Sequence, residues 1–134
     1  MSLSIKFTLL VKPRTKKNHM QLVTLKTGRQ MLLPSKAYKE FEKESLMHLK
    51  TMTIPYTKNP IDYPVNLKCV FYKDKDYKAD LAGYMQAVQD MLVKAEILAD
   101  DNHKIIASTD GSRVLLDRDN PRIEVEITSL ESEV

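Results

Sequence analysis

The sequence has a single cysteine, Cys69, and no tryptophan. One thiol forms neither an intramolecular disulfide nor a cysteine-rich zinc site. Cys69 sits inside the run Val65-Asn66-Leu67-Lys68-Cys69-Val70-Phe71, which reads as a buried strand thiol rather than a nucleophile. Long apolar stretches are missing too. None approaches the roughly 20 residues that cross a bilayer, and the start alternates (Ile5, Lys6, Phe7) instead of forming the apolar region of a signal peptide. A cytoplasmic protein with no membrane partner is expected. With only 3 Gly and 6 Pro, the chain is not of low complexity. A strong charge imbalance is also lacking. The 21 Lys and Arg against 18 Asp and Glu leave a formal net charge of +3, which permits a nucleic-acid partner without requiring one.

What is present is enough hydrophobic residue, 43% of 134, to build one core, so residues 1–134 are read as one domain. Ile5, Phe7 and Leu9 alternate with polar residues as a first strand ending near Val11. Leu22–Leu25 and Arg29–Leu33 flank a turn at Thr27-Gly28, the pattern of a hairpin. Pro34-Ser35 opens a helix with Ser35 as its cap and with Tyr38, Phe41, Leu46 and Leu49 as its apolar stripe. A proline-rich connector leads to a strand over Val65–Tyr72 and a charged loop over Lys73–Lys78. A second helix is expected from about Asp80 to Ala95, with Leu81, Tyr84, Met85, Val88, Met91, Leu92 and Ala95 at helical spacing. Short strands near Lys104–Ser108 and over Arg122–Ile127 complete an α+β fold, a mixed β-sheet with two main helices packed against it.

The acids divide by position. Glu124 and Glu126 alternate with apolar residues and face solvent on the last strand. Asp80 lies where a charged loop enters the second helix, and Asp100-Asp101 lies just past its far end. Such a helix is roughly 24 Å long, while residues 96–101 span roughly 20 Å when extended. The two acidic positions therefore meet within one chain only if it doubles back, or else across a dimer interface. Converging carboxylates suit Mg²⁺, which would polarise a scissile phosphate and activate water. On pattern alone, a helix cap and an ordinary acidic turn account for the same residues.

Lys12, Arg14, Lys16 and Lys17, followed by Lys26 and Arg29, form the densest run of cations without an acidic neighbour. Phosphate contacts are the functional reading, and a solvated loop is the plain one. No aromatic interleaves with this run, which argues against base stacking as the main binding mode. His19 closes the basic loop, His48 falls near the apolar stripe of the first helix as a structural residue, and His103 follows the acidic pair.

Asp80-Leu81, Ala87-Val88-Gln89-Asp90-Met91-Leu92 and Ile97-Leu98-Ala99-Asp100-Asp101 together resemble the RusA family of Holliday-junction resolvases in order and spacing. Weaker similarities run through most of the chain: the strand into a Pro-and-Lys loop, the helix start at Pro34–Tyr38, and the strand opening at Pro121. The resemblance implies a cytosolic homodimer of phage or prophage type that binds four-way DNA junctions. It also implies symmetric strand cleavage with Mg²⁺, Mn²⁺ being a possible substitute, and no small-molecule cofactor. Asp80 and Asp101 would be the catalytic, metal-binding carboxylates, with Asp100 beside them.

Three positions depart from the family pattern. Its second Asp is Ala82 here, the following Asn is Gly83, and the Lys of the best-known members is Gln86. Asp76, Asp90 and Asp110 are the acids available to replace the missing one. A non-catalytic junction-binding protein of the same fold and a small α+β interaction module are the rival expectations.

Overall fold

A computed structural model of the chain describes residues 3–15, 20–34, 36–52 and 59–130. Its elements follow as β1 (Ser4–Leu9), β2 (Met20–Thr24), β3 (Gln30–Pro34), α1 (Lys36–Thr51), β4 (Val65–Lys73), α2 (Leu81–Lys94), β5 (Ile106–Ser108), β6 (Arg113–Leu116) and β7 (Arg122–Ser129). The architecture is α+β, a mixed five-stranded sheet with two helices. β1 and β4 each pair antiparallel with β7, and β5 and β6 both run parallel to β4 along its other side. β2 and β3 form a separate antiparallel hairpin, turning through Gly28 at φ 84° as the Thr27-Gly28 pair suggested. No helix among the described residues is long and apolar enough to cross a membrane.

Period-two patterning decides which side of the sheet is buried. Val65, Leu67, Cys69 and Phe71 of β4 and Ile123, Val125 and Ile127 of β7 are buried in one hydrophobic cluster with both helices. The thiol of Cys69 is pushed up to about 12 by that burial, which keeps it protonated and inert. Glu124 and Glu126 lie on the opposite side, half-buried rather than freely solvated. Glu124 accepts from Arg122 at 3.0 Å, and Glu126 lies 3.9 Å from Lys6. Arg122 also donates to Asp117 at 2.8 Å, closing the turn before β7 and holding the Asp117 carboxyl below its ordinary range.

Helix α1 buries Tyr38, Phe41, Ser45 and Leu49. Ser45 therefore takes the central place expected of Leu46, which is only half-buried. The Ser45 hydroxyl has no hydrogen-bond partner among the described residues. His48 is exposed near the end of α1 and packs no core, and the proposed cap Ser35 lies outside the described residues.

Helix α2 carries the chain from the carboxy end of β4 back to the level of its amino end, the crossover that a parallel β4–β5 pair requires. Asp80 caps it, accepting from the Ala82 amide at 3.1 Å. At the other end the Ile97 amide donates to the Leu92 carbonyl and the Glu96 amide to that of Val93, a Schellman termination. The left-handed position is held by Glu96 at φ 61°, where a side chain costs free energy that glycine avoids. Glu96→Gly is expected to raise unfolding free energy by about 0.5–1 kcal/mol, read as a higher urea midpoint with an unchanged slope. A lower midpoint would mean that the Glu96 side chain contributes more than its backbone costs.

Candidate nucleic-acid interface

The loop after β1 is an extended continuation of the strand with its own alternation. Val11, Pro13 and Thr15 are buried, whereas Lys12 is exposed and Arg14 half-exposed. Three anchors facing inward thus hold two cations outward. Thr15 rests on the first turn of α2 because residue 83 is glycine. A Cβ added there would stand 3.1 Å from the Thr15 Cγ2 and 3.5 Å from the Asp80 Oδ2. Gly83 is therefore where the basic loop docks beside Asp80.

The segment between β4 and α2 forms the facing wall. Lys12 reaches across to it, its ammonium 3.1 Å from the Asp74 carboxylate, and that hydrogen bond holds the Asp74 carboxyl below its ordinary range. The absence of an acidic neighbour in sequence is thus corrected by the fold, because Asp74 arrives from the distant segment just past β4. The Lys73 amine donates to the Tyr77 carbonyl, pairs with Asp76 at 3.8 Å and lies over the Tyr77 ring, 5.0 Å from its centroid. The Tyr77 hydroxyl lies 3.2 Å from that of Tyr84. Tyr84 is buried and packs on Phe71 with ring centroids 5.1 Å apart. Burial first, and then the Tyr77 hydrogen bond, push the Tyr84 hydroxyl upward, with the Arg14 charge opposing.

These walls enclose a cleft of about 350 Å³. Lys12, Arg14, Lys75 and Lys78 line it against one carboxylate, Asp74, and Tyr77 and Tyr84 form part of its surface. An excess of cations in a concave site at a helix amino end favours phosphate. Lys75, Lys78 and Tyr77 were not among the residues singled out by sequence, and Tyr84 was read only as part of the apolar face of the second helix. The one signal for the first three was the charged run Lys73–Lys78 placed between a strand and a capped helix.

The other expected contacts are scattered. Lys26 and Arg29 are exposed at the tip of the β2–β3 hairpin and do not line the cleft. Lys16, Lys17 and His19 lie outside the described residues. His103 is exposed in the turn before β5.

The carboxylates proposed to hold metal do not converge within the chain. Asp80 stands at the amino end of α2, whose 14 residues measure about 21 Å. Past the other end, the chain does not double back along the helix. The Ile97 and Leu98 amides bind the Leu92 carbonyl, and the Ala99 amide binds that of Ile61. The Asp100 carboxylate is taken up locally, accepting from the Asp101 amide at 2.7 Å and from the Asn102 side chain at 3.2 Å. Among the described residues, no three His, Cys, Asp or Glu side chains gather to hold a metal ion. Of Asp76, Asp90 and Asp110, only Asp76 lies in the segment leading into Asp80. Asp90 accepts from the Gln86 amide at 2.9 Å on α2, and Asp110 is fastened to Asn66. No family model matches the chain, and no curated protein matches it.

Proposed function

We propose that the protein acts on branched DNA, gripping backbone phosphates in the cleft between the basic loop after β1 and the segment before α2. The single observation that carries this reading is the gathering of Lys12, Arg14, Lys75 and Lys78 around one concave surface beside the capped end of α2. Phosphate contacts position a nucleic acid without reading its sequence, which suits recognition by branching. The resemblance to RusA resolvases supports the finer reading, a homodimeric endonuclease that hydrolyses phosphodiesters in four-way junctions with Mg²⁺ or Mn²⁺. In that reading Asp80 of one subunit works with Asp101 of the partner subunit, Asp100 being its neighbour, because each chain keeps its own pair apart. A two-fold dimer supplies two equivalent sites, as paired cuts demand.

A second reading, a junction-binding protein without cleavage, has a specific observation behind it. Position 82 is alanine, and the Gln86 amide is engaged with Asp90 where the family offers a lysine. The two readings separate on a 5′-labelled four-way junction and a matched linear duplex run on denaturing gels. Cuts in the junction alone, present with Mg²⁺ and abolished by EDTA, are the expected result. Junction binding without cuts in either metal would establish the binder. Equal treatment of junction and duplex would sink branch recognition altogether.

A further inference from the structure

Among the described residues, Tyr77 is the one large aromatic on the cleft surface that is substantially exposed, at 42%, and it is held at several points. Its hydroxyl bonds to that of Tyr84, a residue only 4% exposed, and its carbonyl accepts from Lys73. The same lysine ammonium lies over the ring. A ring fixed at its tip, its backbone and one face has little rotational freedom left to lose on binding. Cations stand around it, with Lys75 and Lys78 on the same segment and Lys12 and Arg14 across the cleft. An immobilised aromatic among phosphate-binding cations is the arrangement on which unpaired bases stack.

We infer that Tyr77 is a stacking platform for an unpaired nucleobase, so that the cleft takes a strand whose base has left the helix rather than uninterrupted duplex. This rests on the proposed action on branched DNA and deepens it, because branch points are where bases are most easily unstacked. It also revises the expectation drawn from sequence order, in which no aromatic accompanied the basic run. The fold brings Tyr77 and Tyr84 to Arg14 across more than sixty residues of chain.

The test compares Tyr77→Leu and Tyr77→Phe with the wild-type protein by fluorescence anisotropy at low salt. The probes are a four-way junction carrying an unpaired thymidine at the branch and a fully paired duplex. Tyr77→Leu is expected to bind the junction about tenfold more weakly and the duplex unchanged. The salt dependence should not alter, since no phosphate contact is lost. Tyr77→Phe keeps the π face and gives up only the hydroxyl bond to Tyr84, so it is expected to bind the junction more tightly than Tyr77→Leu and less tightly than the wild type. An unaltered leucine variant, or one weakened equally on both probes, would overturn the platform while leaving DNA binding intact. A wild-type protein that binds neither probe would overturn the proposed function together with it.

Discussion

Mixing Asp80→Asn protein with Asp101→Asn protein is expected to restore junction cleavage that neither possesses alone. Each substitution removes a carboxylate proposed to stabilise charge at the scissile phosphate, an effect of several kcal/mol and so at least about a hundredfold in rate. Asparagine caps a helix about as well as aspartate, so Asp80→Asn removes charge without loosening α2. The restoration follows from the length of α2. With the two acids at opposite ends of a helix of about 21 Å, a site can form only where the amino end of one α2 meets the carboxy end of another. In a mixed dimer one of the two composite sites then receives both native acids, and random pairing would return about a quarter of the wild-type nicking rate. If the acids instead worked within one chain, every mixed dimer would lack an intact site. Continued inactivity of a mixture shown to contain mixed dimers would therefore refute the composite site.

The second large effect is expected at Phe71. Phe71→Ala should lower stability by about 3–5 kcal/mol, a large share of the roughly 5–15 kcal/mol that holds such a domain together. The melting temperature would fall by on the order of 10–15 °C. Phe71 is 1% exposed on the central strand β4, so the deletion leaves a cavity in the middle of the cluster. It also removes the ring on which Tyr84 rests, with centroids 5.1 Å apart. Tyr84 in turn carries the hydroxyl that anchors Tyr77. The alanine variant should therefore lose junction affinity even at temperatures where it remains folded. Phe71→Leu, which keeps much of the volume, is expected to cost under about 2 kcal/mol. A melting temperature for Phe71→Ala within a few degrees of wild type would show that β4 is not the centre of the core.

Local chemistry was legible in the sequence, whereas approach between distant segments was not. Helix α2 and its capping Asp80 were readable because apolar spacing and a cap are properties of adjacent residues. The same holds for the turn at Gly28 and the alternation of β7. Strand β6 escaped because Arg113–Leu116 lies at a sheet edge where no residue is buried, so no inside–outside alternation marks it. Ser45 was passed over because a serine inside an apolar stripe carries no signal of burial. At the candidate interface, the cations Lys12 and Arg14 were visible, but Asp74, Tyr77 and Tyr84 belong to another part of the chain. Only the pairing of β1 and β4 with β7 brings those parts together. Whether Asp80 and Asp101 meet within one chain also depended on a nonlocal fact, the path after Glu96. That path is set by hydrogen bonds from Ile97, Leu98 and Ala99 to carbonyls of Leu92 and Ile61.

The position of β7 has a consequence for how the molecule is made. Among the described strands it is synthesised after all the others, yet it is an interior strand of the sheet, bonded to β1 on one side and β4 on the other. Until residues 122–129 emerge, β1 has no partner and β4 keeps an open edge along its whole length. The sheet cannot close progressively as synthesis proceeds, and the pairing of Ser4 with Thr128 imposes a very long loop closure. During translation both edges are therefore templates for mispairing with other chains, and the nascent sheet depends on β7 to cover them.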